Sequence, residues 1–199
     1  MYVDAVPHVP TTGQWLETDG VRWWFDSGSI ALDFAHTGAL PGGSEQLHSP
    51  TDLGVWLVER FPRVDAGVSE RELSDALLLR ESIGRLVVAV DPAASDIDIV
   101  NLVAAMPDIP PALGGGSRQA GASHAHVSQA LSTIAREAIG LFDANRVAGI
   151  RTCSAGDCAF IYLDTSRSGS RRWCSMQRCG NRAKVRAYRG RAVRGSSPG

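Results

Sequence analysis

The chain is predicted to be α+β, with a helix-rich N-terminal domain followed by a small metal-stapled module, on three observations. Apolar residues through the first 145 positions recur mostly at helical spacing. All four cysteines fall between residues 153 and 179. Charge divides at the same place: residues 151–199 hold eleven of the twenty basic residues and only Asp157 and Asp164 among the acids. The net charge of −1 hides this split. Two modules with different partners are implied, the C-terminal one facing something anionic.

Residues 1–20 are polar and proline-containing, and read as a loosely ordered start. "VRWWFDSGSIALDF" gives a short strand at 21–26 and, past the Ser27-Gly28 break, a helix or strand from Ser29. Beyond the loop "TGALPGGSEQLHS", Ser49 caps a helix with Pro50 at its first position and Asp52 in its first turn. Leu53, Trp56, Leu57 and Phe61 share one face, and Pro62 stops it. Ser69 and Glu72 form a capping box for a longer helix that runs to Asp91-Pro92. Ser95 is expected to cap the next, carrying Ile99, Leu102, Val103 and Met106. Residues 107–123 read as a loop or eroded hairpin, and the last N-terminal helix spans about 124–143.

The cysteines are spaced Cys153-x4-Cys158-x15-Cys174-x4-Cys179. Two short pairs joined by a longer excursion supply four thiolates for tetrahedral zinc. No secretion signal and no apolar run of about 18 residues is visible, so a cytoplasmic protein without a membrane partner is expected. A reducing compartment favours metal over disulfides. Four thiolates also close the tetrahedron against water, so the zinc is expected to be structural. The excursion "AFIYLDTSRSGSRRWC" reads as a β-hairpin, and the chain after Cys179 as a helix to about Arg191. Knuckle, hairpin, then a helix with a ligand at its N-terminus is the order of a treble-clef zinc finger. On that helix Arg182, Arg186 and Arg189 share one stripe, with Lys184 and Tyr188 on another. Arg171, Arg172 and Arg178 lie near the metal. These seven basic residues are candidate phosphate contacts; the alternative is a solvated or protein-facing helix.

Cys179-Gly180-Asn181-Arg182, preceded by Trp173-Cys174 and followed by Lys184, Tyr188 and Arg189, resembles the signature of the CGNR zinc fingers. "IALDFAHT" at 30–37 resembles the LDFxNT motif that opens the N-terminal ABATE domain of that family. "DLGVWL" is similar to its following helix, and "ELSDALLLRESIGRLV" to its long helix. His36 stands where the family pattern has Asn, whereas Asp33 and Thr37 match. The resemblance implies a DNA-binding, stress-induced transcription regulator. It implies an ABATE-like sensor domain at 1–145, a CGNR treble clef at 146–194 and a disordered tail at 195–199.

The charge and cysteine switch near 146–152 supports the same boundary, and residues 1–145 are expected to fold alone without zinc. No nucleophile–base pair or H-E-x-x-H motif appears, and "GGGSRQAG" lacks the strand that a phosphate loop needs, so an enzyme is not expected. The expected partners are DNA, a small-molecule effector and a second copy of the chain. Asp33, His36 and Thr37 are the candidate ligand pocket. Two other functions stay open: a finger that binds protein or RNA, and an enzyme within residues 1–150 drawing on Asp33, His36, His48 or the His124/His126 pair. Treble clefs serve several binding roles, so fold alone does not choose.

Overall fold

The computed structural model describes residues 12–18, 20–89, 91–111, 124–143 and 147–195, with side chains to residue 189 in the last helix. β1 (Gln14–Thr18) and β2 (Val21–Phe25) are followed by α1 (Ile30–Ala35), α2 (Pro50–Arg60), α3 (Glu70–Val88), α4 (Ala94–Ala104) and α5 (Val127–Leu141). Then come β3 (Ile150–Thr152), β4 (Ile161–Leu163), one wide π-helical turn at Met176–Gly180, and α6 (Asn181–Gly195). The architecture is α+β. No helix among the described residues is long and apolar enough to cross a membrane.

The first correction is at the N-terminus. Residues 14–18 are not a loose lead-in; they form β1, antiparallel to β2, with Trp15 opposite Trp24. The sequence signal was the Asp-Gly dipeptide at 19–20 between two short tryptophan-containing segments. Gly20 adopts the left-handed φ of +72° that such a tight hairpin demands.

α1 resolves the helix-or-strand alternative as a helix of six residues, every one buried. So short a helix cannot leave its ends unsatisfied in the core. Ser29 Oγ accepts from Leu32 N, and Glu137 Oε2 of α5 accepts from both Ser29 Oγ (2.7 Å) and Ala31 N (3.1 Å). At the other end Arg80 of α3 donates to Thr37 O (3.2 Å) while paired through both terminal nitrogens with Glu45. α1 is thereby the central pin, packing on α3, α5 and β4.

The capped helices form as their sequences dictate. Ser49 Oγ accepts from Asp52 N with Pro50 at the first helical position, and Ser69 and Glu72 make both bonds of the capping box. α4 differs: it starts at Ala94, with Ala93 at the cap and Ser95 inside the first turn. Asp96 in that turn is held by Arg85 of α3 through three bonds of 2.6–3.0 Å. That interhelical pair, not a serine cap, anchors the helix start. α5 begins three residues later than expected, at Val127, where Gln129 Oε1 accepts from His126 N (2.9 Å). Residues 112–123, including "GGGSRQAG", and the tail from 196 lie outside the described residues.

The second hairpin is also displaced from its expected position. β3 pairs with β4 across the Cys153–Cys158 knuckle. The return through 170–173 is not a strand; Tyr162 Oη donates to Arg171 O (2.7 Å) and Ser154 N to Arg172 O (2.9 Å). The physical reason is that Leu163 N is already donated to Ser27 O (2.7 Å), so that part of β4 pairs with the N-terminal segment.

Two cores result. The larger collects α1 to α5 with Ile161 and Leu163. The smaller joins Leu16, Trp23 and Phe25 of the first hairpin to Cys153, Ala155, Phe160, Tyr162, Cys174 and Cys179. Strand alternation explains the division of β4: Ile161 and Leu163 face the helices, while Phe160 and Tyr162 face the finger. The boundary near 145 thus divides charge, but packing crosses it.

Candidate metal centre and basic surface

Cys153 follows β3, Cys158 closes the knuckle, Cys174 ends the return loop and Cys179 sits in the wide turn that leads into α6. All four Sγ atoms lie within 4.8 Å of one another, and no disulfide forms. Cys158 and Cys174 are 3.6 Å apart and Cys174 and Cys179 3.5 Å. A zinc ion with bonds of about 2.3 Å would set tetrahedral sulfurs about 3.8 Å apart, so this set fits it. The thiol hydrogen bond from Cys174 pushes Cys158 down to about 5, toward the thiolate that a metal requires. That same bond, then burial, pushes Cys174 up. Among the described residues this is the one group of three or more His, Cys, Asp and Glu gathered closely enough to hold a metal.

Each residue of Cys-Gly-Asn-Arg has a visible structural task. Gly180 leaves room for Met176, whose sulfur a Cβ would approach to 2.7 Å. Asn181 Nδ2 donates to Gln177 O (3.3 Å), tying α6 to the preceding turn. Arg182 donates to Cys179 Sγ (3.2 Å) and pairs with Asp157 of the knuckle (3.1 Å). A cation against sulfur and a backbone donor, Cys174 N to Cys153 Sγ (3.4 Å), offset the negative charge of bound thiolates.

The seven basic candidates do not form one surface. Arg171 is turned inward, donating to Trp173 O, Asp26 O and Cys174 O with its guanidinium over the Tyr162 ring. Arg178 lies over Trp23 at 4.8 Å. Arg182 is committed to sulfur and Asp157. Arg186 shares Asp157 (2.8 Å) but is 59% exposed. Arg172, Lys184 and Arg189 are exposed. The expected stripe of Arg182, Arg186 and Arg189 therefore has an acid at one end. Sequence reading noted Asp157 as one of only two acids in residues 151–199 but not its pairing with Arg182 and Arg186.

Asp33, His36 and Thr37 are fully buried within the core. Asp33 accepts from Gly13 N (2.5 Å) and Ser27 N (3.2 Å), and burial raises its pKa to about 6 against the opposing pull of those bonds and of Arg60. His36 Nε2 lies 2.7 Å from Ile161 O; a carbonyl only accepts, so the proton is on Nε2. Its ring stacks on Phe160 and meets Phe25 edge-on, and burial lowers its pKa to about 4. Thr37 Oγ1 donates to Phe34 O (2.6 Å). His48, His124 and His126 are exposed or partnered locally and form no metal-holding group among the described residues.

Two family models match the chain, in order. Residues 150–192 match the CGNR zinc finger, the family in which four grouped cysteines carry zinc. Among curated proteins no match is found. Residues 28–145, more than half of the chain, match the ABATE family, described as "Putative stress-induced transcription regulator", and the chain belongs to that family.

Proposed function

We propose that the protein is a DNA-binding transcription regulator in which a structural zinc, held by Cys153, Cys158, Cys174 and Cys179, fixes α6 so that its exposed rim meets phosphate. The observation that carries this reading is the exposure of Arg172, Lys184, Arg186 and Arg189 around a helix whose start is pinned to the cysteine cluster. A free helix of this length is marginal in water, so the anchor is what makes the rim a surface. Arg171, Arg178 and Arg182 support that surface from behind. A small DNA-binding module covers about 600–1,000 Å², so tight binding calls for a homodimer. A stress-linked role in the cytoplasm is part of the same proposal.

Mobility-shift assays with genomic fragments, with and without chelator, test it. The double variant Arg186→Ala, Arg189→Ala should lower affinity with zinc content unchanged. Its salt dependence should flatten by about 0.9 log units per tenfold salt for each phosphate no longer neutralised. Asp157→Asn should raise affinity by releasing Arg186. No DNA binding by the parent at low salt would sink the reading. In that case a protein-facing helix is favoured by Val185 and Tyr188, 48% and 70% exposed among the basic residues.

A further inference from the structure

A cleft of about 480 Å³ lies between the β1–β2 hairpin and α2, a size typical of small-molecule sites. Three tryptophans line it: Trp15 and Trp24 from the hairpin and Trp56 from α2. Trp15 and Trp24 meet edge to face at 5.5 Å and are 54% and 38% exposed, an unusual amount of bare indole for a two-stranded sheet.

The wall of the cleft is rigidly braced. Gly13 has a φ of +99°, and a Cβ there would run into the Trp24 ring. Its N–H is donated to Asp33 and its carbonyl accepts from Arg60 Nη2 (3.0 Å). Gln14 accepts from Trp56 Nε1 (3.1 Å) and donates to Asp33 O (2.9 Å). The buried Asp33 is thus a positioning residue for this wall.

Charge selects the ligand class. Arg22 stands over Trp15 at 4.9 Å and Arg60 over Trp56 at 4.0 Å, so two of the three indole rings already carry a cation on one face. A cationic ligand finds no free cage there. Of the two acids in the lining, Glu59 is paired with Arg60, while Asp52 keeps its charge and caps the start of α2, accepting from His48 N and Ser49 Oγ. Arg60 also donates to Trp56 O and Gly13 O. Arg22 is exposed at the rim and makes no hydrogen bond or ion pair among the described residues.

We propose that this cleft binds a planar aromatic carboxylate, its ring between the hairpin indoles and Val55 of α2 and its carboxylate on Arg22. Trp24 also lines a second cleft, of about 600 Å³, beside Arg172, Trp173 and Cys174 of the finger. A ligand against Trp24 is therefore one side chain away from the finger surface. Only that last consequence rests on the reading of the chain as a regulator.

The test uses the full-length, zinc-loaded protein. Benzoate, salicylate, nicotinate and indole-3-carboxylate are titrated by calorimetry and by ¹H–¹⁵N NMR, with indole and tryptamine as neutral and cationic controls. At least one carboxylate should saturate in the micromolar to millimolar range and shift the Trp15 and Trp24 indole signals. Arg22→Gln should weaken it about tenfold while leaving indole unchanged. Trp24→Ala should abolish it. Val55→Trp fills the cleft from the other side and should do the same if Trp24→Ala does not fold. The proposal is overturned by no saturable binding up to about 10 mM, by unchanged affinity in Arg22→Gln, or by tryptamine binding more tightly than indole-3-carboxylate. DNA binding measured on the same samples keeps the questions apart, since its loss beside intact carboxylate binding counts against the regulator alone.

Discussion

The helical body and the finger reach stability by different means. The body buries a continuous apolar core centred on α1, and its polar groups are satisfied by caps and by Arg80, Glu45 and Glu137. Once its cysteines are set aside, the finger's described residues in the smaller core are Ala155, Phe160 and Tyr162, with Trp173 packed against them; Leu16, Trp23 and Phe25 come from the first hairpin. So few side chains cannot hold a fold of about 45 residues alone. The finger is therefore stabilised from two sides, by metal–sulfur bonds and by aromatic rings borrowed from the N-terminus. A boundary drawn on charge and cysteine content marks the chemistry of the two modules. Packing crosses it, since the smaller core draws residues from both sides.

The largest break in this comparison should come from the metal. Structural zinc contributes on the order of 10–16 kcal/mol to finger folding. Chelation, or Cys174→Ser, should melt α6 and the β3–β4 hairpin while α3 and α5 persist. Elemental analysis should return one zinc per chain, and circular dichroism should show partial rather than complete helix loss. Complete unfolding would mean that the body depends on the finger as much as the reverse.

Phe160→Ala sharpens the seam itself. Phe160 stacks on His36 and meets Trp23 and Phe25 at 5.3 and 5.0 Å. Removing it should cost about 3–5 kcal/mol, read as a shift in the urea midpoint with zinc in excess. A loss confined to the finger, with the Trp23 indole signal unmoved, would place the seam elsewhere.

The smallest effect is the pH response of two buried groups, His36 at the seam and Asp33 within the helical body. His36, held near 4 instead of 6.5, contributes stability that is full above pH 6.5 and is lost as pH falls toward 4. Asp33, held near 6 instead of 3.8, acts in the opposite sense, its contribution full below pH 3.8 and lost as pH rises through 6. Between pH 4 and 6 the slopes oppose. Asp33→Asn should therefore leave a stability that climbs from pH 4 to 6.5, and His36→Asn one that declines from 3.8 to 6. Each change amounts to at most about 3.5 kcal/mol. Denaturant midpoints across that range check the sign.

Much of this was legible in the chain before its fold was known. The capping box at Ser69 and Glu72, the Ser49-Pro50 helix start and the cysteine pairs all depend on residues within about five positions of each other. Sequence spacing alone sets whether such groups meet. β1 was legible too, through Asp19-Gly20, but the polar, proline-containing lead-in obscured it. Ser95 carried a false signal, because the nearby Arg85–Asp96 pair was the stronger anchor.

What only the tertiary structure decided are the meetings of distant segments. His36 meets Ile161 across 125 residues, and Ser29 meets Glu137 across 108. No periodicity or cap reports such pairs, because packing of whole elements brings them together. For that reason the sequence identified Asp33, His36 and Thr37 as notable without showing the hydrogen bonds and rings that hold them in the core. It likewise counted seven basic residues without showing that Asp157, the Cys179 sulfur, backbone carbonyls and two aromatic rings engage four of them. By itself the sequence determined the capped helices α2 and α3, the two cysteine pairs and the charge asymmetry, all products of local spacing. The shared core, the aromatic cleft and the basic residues left facing solvent were decided by the fold.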